Sequence, residues 1–494
     1  MNIDKNGAEL LGSITMPMCD RTVSCEVSAD ITLPDYQPEL RRLLGVSERI
    51  LPPAKYVSGS GVECNGTVDY RILYVGADGG LYGTTFSSEY EIDIPIENGS
   101  DFELTEGACT TVCTVCEGST VRVTSPRKIN VKSRLRSHIR SYANMRTEEN
   151  AYGEVDISSV EKLYGQVDNA CMSVNASDVI EVDTEIGGFP DDLRVISADA
   201  SVFVNDARVL DGELRAGGDV NLKLLVCREG REAETVTKKL HFDGELDGSD
   251  IFSDSLCRVV GNVTDMTVNV EEGRILCNIS LVLDGICAKN RPWRYTADIY
   301  STERECDAEM SELAVPAVIA CTNGNFSQSE RLPLSDTTVS EGSAVIDAWG
   351  NASLGTCEYL DGKYVFTGKS RYTLLCENEG EYSTSDVELP LRYELEGEGA
   401  DSFTFDAFAD VISCRARIDG DTLAIDAEIG VGADIFGTNN ITAVESVRFG
   451  EPYGHGKSRM VVYYPAEGES PWDVAKKYHV PADTLTAEKH YYIF

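Results

Sequence analysis

The chain is short of basic charge, of histidine and of long apolar runs. Against 83 Asp and Glu residues it carries 43 Lys and Arg, a formal net charge of −40. A field of that sign repels nucleic acid and anionic lipid and favours a basic partner surface. No apolar run approaches the roughly 20 residues of a membrane-spanning helix. The opening MNIDKNGAELLGSITMPMCD has no basic stretch followed by an apolar one, so we expect neither a membrane span nor a secretory signal, and a cytosolic start. Only five His residues occur: His138 and His241 in the body, and His455, His479 and His490 near the end. That leaves little from which to build Ser-His-Asp or Cys-His chemistry. The 16 Cys residues are spread through apolar, strand-like segments. In a reducing compartment they read as small buried hydrophobes, not as a disulfide framework.

What the chain does have is a repeat. GTVDYRILYV (66–75), GDVNLKLLVC (218–227) and GKSRYTLLCE (368–377) line up, and their leading glycines, Gly66, Gly218 and Gly368, are 152 and 150 residues apart. Each stretch runs into a short polar turn (GADGG, REGRE, NEGEY) and a second strand-like segment (SSEYEIDIPIE, VTKKLHFDGEL, SDVELPLRYEL). A later segment recurs as well: RKINVKSRLRSHI (127–139), GRILCNISLVLDG (273–285) and DTLAIDAEIGVGA (421–433). In it apolar residues alternate with polar ones, at Ile129, Val131 and Leu135 and at Leu423, Ile425, Ala427 and Ile429. This period of two marks half-buried strands in antiparallel sheets. A chain of 494 residues has room for three or four domains of about 150 residues. The expected fold is mainly β, with three tandem antiparallel β-rich repeat domains over 1–160, 161–308 and 309–452. Linkers are expected near RTEENAYGEVD, ERECDAEMSEL and FGEPYGHGKS. One helix is expected in the body, over DYQPELRRLLGV (35–46), with Pro38 near its start and Gly45 as its stop.

After EPYGHGKS the pattern changes. RMVVYYPAEGES reads as a strand and a turn. SPWDVAKKYHV reads as a helix: Ser470 caps it, Pro471 suits its first position, and Asp473 complements the positive end of the dipole. Trp472, Val474, Ala475 and Tyr478 fall on its inward side. PADTL opens a second short helix at Pro481, and YYIF returns as a strand, giving a small βααβ module over 458–494.

GESPW, AKKY and VPADTL, in that order, resemble a LysM domain. Domains of that family bind N-acetylglucosamine-containing glycans such as peptidoglycan, using the turn before the first helix and the loop before the last strand. The resemblance puts that surface at Gly468, Glu469, Ser470, Pro471 and Trp472, with Thr484 and Leu485 on the facing side. The Asn-rich loop usual after the second helix is replaced here by TAEKHYYIF. In the body, DITLPDYQPELRRLLGV and GTVDYRILYV resemble the SPOCS domain of spore-forming Firmicutes. Three such units followed by a LysM-like module are similar to the SipL-like family of clostridial spore morphogenesis proteins. That resemblance implies a non-enzymatic adaptor in spore coat assembly, placed in the mother-cell cytoplasm at the forespore surface. Its LysM-like module would engage the ATPase of the coat's basement layer. The alternative is a peptidoglycan-binding protein acting through the same module.

Four other features of the sequence have plainer readings. GKYVFTGKS (362–370) approaches a phosphate-binding loop, but Gly362 stands one residue too far from Gly-Lys-Ser and Gly368 belongs to the repeat, so a structural turn is expected. Cys109, Cys113 and Cys116 lie close together, yet a zinc site usually needs four ligands and no second pair or nearby His completes this one. We therefore expect no metal and no cofactor. Acidic pairs such as Asp191 and Asp192 carry nothing in so acidic a chain. Finally, eight basic residues and no acidic one stand between Arg122 and Arg146. In a strand, Lys132, Arg134, Arg136, His138 and Arg140 share one face. They form either a solvated face paired with acidic neighbours, or a docking strip between units or chains.

Overall fold

The computed structural model describes residues 14–58, 61–95, 109–145, 159–190, 192–210, 212–228, 233–246, 251–400, 402–454, 461–485 and 491–493. The expected linker segment RTEENAYGEVD (146–156) lies outside them, as do Asp191 and the TAEKH segment. The chain is mainly β, in several antiparallel sheets.

The first set of strands is β1 (Ile14–Thr32), β2 (Leu40–Ile50), β3 (Ala54–Ser58), β4 (Gly61–Gly76), β5 (Leu81–Pro95), β6 (Cys109–Ser125) and β7 (Lys128–Met145). They make two sheets. One has the order β1-β7-β6, and in the other β4 is flanked by β5 and by β2 and β3 together. β2 lies along Val68–Gly76 of β4 and β3 along Gly61–Asn65. Between them stand Pro52 and Pro53, which have no N–H to give to a ladder, and this splits one strand into two.

A second set follows: β8 (Val160–Gly187), β9 (Arg194–Leu210), β10 (Glu213–Cys227), β11 (Ala233–Leu246), β12 (Leu256–Glu271) and β13 (Arg274–Ser301). The third is β14 (Arg304–Pro333), β15 (Ala344–Leu360), β16 (Lys363–Asn378), β17 (Glu381–Glu396), β18 (Phe403–Asp419) and β19 (Thr422–Pro452). Their sheets are β12-β13-β8 with β11-β10-β9, and β14-β19-β18 with β15-β16-β17. The same path is thus drawn three times: a strand, a three-stranded meander, and a hairpin whose second arm pairs back on the first strand. Only Thr302 and Glu303 separate the second set from the third, so ERECDAEMSEL is no linker; most of it belongs to β14, and residue 308 falls inside that strand.

The helix expected over 35–46 does not form; that segment is a turn leading into β2. Its apolar residues Leu40, Leu43, Val46 and Ile50 all pack against the first core, at intervals that mimic a helix. The pairing with β4 shifts register between Leu40 and Arg42 and again between Leu43 and Gly45. Each bulge adds one residue to the strand, which stretches a period of two into a period of three.

Within each set the two sheets face each other. Val131, Leu135 and Ile139 of β7 meet Val68, Tyr70 and Ile72 of β4. Ile279, Leu281 and Leu283 of β13 meet Val220, Leu222 and Leu224 of β10. Leu423 and Ile425 of β19 meet Tyr372 and Leu374 of β16. Each fully buried aliphatic side chain contributes about 1.5–3 kcal/mol.

A further core lies on the opposite face of the three meanders. Leu73, Leu225 and Leu375, at the same spacing as the repeated glycines, are buried together with Val75, Leu81, Ile196 and Tyr382. The meanders therefore close around a shared apolar plug. Equivalent contacts seal two of the seams: Thr235 donates its hydroxyl to the Ile346 carbonyl oxygen (2.9 Å), and Thr384 to that of Leu44 (2.7 Å). At the third seam the repeat-equivalent position is Gly83, where a Cβ would collide with the Ile196 carbonyl oxygen.

Candidate functional site

The end of the chain forms a small separate unit: β20 (Val461–Tyr463), helix α1 (Pro471–Tyr478), a 3-10 turn at Ala482–Thr484, and β21 (Tyr491–Ile493) paired antiparallel with β20. The expected second helix is only that single 3-10 turn. α1 starts as the sequence dictates. The Ser470 side chain accepts from the Asp473 N–H, the Asp473 carboxylate accepts from the Ser470 N–H at 2.9 Å, and Pro471 opens the first turn. His479 closes the helix in the left-handed region, φ +55°, its ring tilted against that of Tyr453 with centroids 4.0 Å apart.

The residues assigned to a binding surface behave differently from one another. Gly468, at φ +88°, and Ser470 lie on the exposed turn. The Glu469 carboxylate accepts from the Tyr463 hydroxyl (2.9 Å) and the Ala466 N–H (2.9 Å), bonds that hold it below the usual carboxylate range. Thr484 is exposed but donates its hydroxyl to the Pro481 carbonyl (2.6 Å). Leu485 is buried with Val474 and Ala475 in the unit's core and presents no surface.

Pro471 is half-buried, and so is Trp472, which points at the body instead of at solvent. Its indole N–H donates to Asp298 of β13 at 2.8 Å, and its ring meets Tyr300 edge-on at 4.9 Å. Lys476, one turn further along α1, donates to the other oxygen of Asp298 at 2.6 Å. The Tyr300 hydroxyl donates to the Val480 carbonyl at 2.7 Å. Burial opposes the charge on Asp298, but Lys476 and Trp472 outweigh it and hold the carboxyl below its usual range. Nothing in the local sequence announced Asp298 or Tyr300 as partners, because they stand 174 and 180 residues before the groups they hold.

The basic strip divides along β7. Lys132, Arg134 and Arg136 point to solvent, and the last two share Glu117 of the adjoining strand at 3.2 and 3.3 Å. The far end is buried between sets. Arg140 pairs with Asp20 at 2.9 Å and donates to the Phe405 carbonyl of β18 at 3.3 Å. His138 stands between Asp20 (2.7 Å) and Asp406 of β18 (3.5 Å), and its imidazole pKa is raised mainly by Asp406. One end of the strip is thus a solvated, locally paired face, and the other is a seam inside the chain.

The three sets enclose a cavity of about 1420 Å³. Its charges are largely paired across seams: Arg71 with Asp199 at 2.5 Å, and Lys223 with Asp347 at 3.0 Å. Asp410 of β18 also lines it; burial pushes its carboxyl up to about 6, with Asp199 acting in the same direction. Cys113 and Cys116 line the wall from β6. Burial pushes the Cys113 thiol up to about 12 and raises that of Cys116, which makes both poor nucleophiles. Cys109 faces another core, beside Tyr142 and Phe436. Among the described residues no group of three or more His, Cys, Asp or Glu is arranged to hold a metal ion, and no helix is long and apolar enough to cross a membrane. GKYVFTGKS is the β15–β16 turn and the start of β16, where a Cβ at Gly368 would strike the Ser353 carbonyl oxygen. No protein-family model, no curated protein and no solved structure matches the chain.

Proposed function

We propose that this chain is a non-enzymatic adaptor of spore coat morphogenesis. In this reading the three strand sets are tandem SPOCS-like domains closed on one axis, and the C-terminal unit is a LysM-like module that holds the ATPase of the coat's basement layer on the mother-cell side of the forespore. What favours a protein partner over a sugar is the state of the turn before α1. Glu469, Ser470 and Thr484 have polar atoms engaged within the module, so few hydrogen-bonding groups remain for a saccharide, which is recognised largely through its hydroxyls. Beside that turn, Val462 and Tyr464 are exposed, Tyr464 at 71%. Exposed aromatic residues are what protein interfaces tend to use as anchors.

The test is a parallel pull-down of the full chain with immobilised coat ATPase and with insoluble peptidoglycan. The adaptor reading expects capture by the ATPase, weakened at least tenfold by Tyr464→Asp with an unchanged unfolding midpoint. Retention on peptidoglycan instead, abolished by substitutions at Gly468 and Ser470, would replace it with the glycan reading.

A further inference from the structure

Cys257 and Cys287 stand directly opposite each other on β12 and β13. Their sulfurs are 3.1 Å apart, and both residues are buried, at 9% and 2% exposed. Facing residues of an antiparallel pair already bring their Cβ atoms to about 4.5–5.5 Å, close to the roughly 3.5–4.5 Å that a disulfide needs. Closing the gap to the bonded length of about 2.05 Å requires a movement of about 1 Å.

We propose that Cys257 and Cys287 form a reversible oxidation site, a buried dithiol that closes into a cross-strand disulfide when its surroundings turn oxidising. The pair is asymmetric in a useful way. Either sulfur can donate its S–H to the other, but the two differ in access. Cys257 is the less buried of the two, 9% exposed against 2%, and so the first that an oxidant meets. It also sits at the second residue of an edge strand, just after the turn at Phe252–Ser255, where a small oxidant can reach it by local fraying.

With hydrogen peroxide as oxidant the steps balance. The Cys257 thiolate attacks one peroxide oxygen, the O–O bond breaks, and after proton transfer the products are a Cys257 sulfenic acid and water. The Cys287 sulfur then attacks the sulfenic sulfur, the S–O bond breaks, and a second water leaves with the Cys287 proton. Two thiols are oxidised by two electrons and one peroxide is reduced to two waters.

The consequence lies one residue away. Arg258 carries the buried ion pair with Asp434 of β19, its Nε 2.9 Å from both carboxylate oxygens. A bond from Cys257 to the central strand of its sheet would fix the strand that presents Arg258, and so stiffen the seam between the second and third sets.

The experiment treats the native full-length chain with hydrogen peroxide, digests it with trypsin without reduction and maps the peptides by mass spectrometry. Peptides 240–258 and 275–289 should appear linked, lighter by two hydrogens than their sum, and dithiothreitol should separate them. Cys277 lies in the second peptide, so fragmentation must place the bond at Cys287. In Cys287→Ser the reaction should halt at a Cys257 sulfenic acid that dimedone traps. The unfolding midpoint of the wild type should rise on oxidation and fall back on reduction, and that of Cys257→Ser should not respond. If both thiols are alkylated or over-oxidised separately while other cysteines react, or if the bond maps to Cys277, Cys109 or Cys321, the proposal fails.

Discussion

Two carboxylates hold parts of this protein together in opposite surroundings. Asp434 is 3% exposed and receives Arg258 in a two-pronged grip between the second and third sets. Asp298 is 25% exposed at its side chain and receives Trp472 and a half-exposed Lys476 from the C-terminal module. The first is one link in a seam that also includes Asn323 bridging both backbone groups of Val259 and Asn290 bridging both of Val318. The second works beside Tyr300, which packs with Val474, Ala475 and Leu485, and the His479 contact with Tyr453. A body sealed by buried, mutually dependent links should unfold as one. A tail held by a few half-wet ones should come away while the body stays folded.

The comparison breaks most sharply at Asp434. Removing one partner of a buried ion pair strands the other charge, at a cost of about 3–5 kcal/mol. Asp434→Ala should therefore lower the urea midpoint of the whole body, with the strand signal lost in a single step. Replacing both Arg258 and Asp434 by apolar residues should recover much of that loss, because no charge is then stranded. A double variant as weak as the single one would show that the seam depends on the ion pair itself.

Next in size is Leu225→Ala. Leu225 is 2% exposed in the plug shared by all three meanders, and the cavity left there should cost about 2–5 kcal/mol. The loss should again be global. If only the second set loosened in hydrogen exchange, the plug would not couple the three sets.

Asp298→Ala should cost far less, about 1 kcal/mol, and only locally. Limited proteolysis should release the C-terminal unit faster while the body's urea midpoint stays put. A global shift of the midpoint would mean that the tail is part of the folded body.

Much of this architecture was legible in the sequence. Alternation at Ile129, Val131 and Leu135 and at Leu423, Ile425 and Ala427 marks strands because one face of each sheet is buried, and the near-equal spacing of Gly66, Gly218 and Gly368 marks the repeated path. Two kinds of feature were not legible. The β2 bulges disguised a strand as a helix, since a local period cannot reveal that an extra residue has been inserted against β4. The seams were hidden as well. Arg71 and Asp199, or Trp472 and Asp298, are ordinary residues whose meeting depends on how whole sheets are placed. The basic strip shows both limits in one strand: alternation places Arg134 and Arg140 on the same face, but only the packing of β18 decides that Arg140 is buried and Arg134 is not.

The smallest effect concerns pH at the seams around β18. Burial raises the Asp410 carboxyl to about 6, with Arg49 and Arg71 opposing the shift. The His138 pKa is raised above its ordinary value, chiefly by its bond to Asp406 and also by Asp20, against the pull of burial. Both groups bind a proton more tightly in the folded chain than in the unfolded one, so both make the protein less stable as pH rises. For Asp410 that contribution is complete below about pH 4, the unfolded carboxyl value, and is lost as pH climbs through about 6. For His138 it is complete below about pH 6.5 and is lost through its raised value. Asp298 and Asp199 act in the opposite sense: paired with Lys476 and Arg71, their carboxyls are held low, and their stabilisation disappears as pH falls through those lowered values. Stability should therefore peak in mildly acidic solution. Asp410→Asn should raise the urea midpoint at pH 7 and flatten its slope between pH 4 and 6, with the gain held to about 1 kcal/mol because the carboxyl faces a cavity open to water. Midpoints of the wild type and Asp410→Asn that run parallel from pH 4 to 7 would show that Asp410 ionises freely.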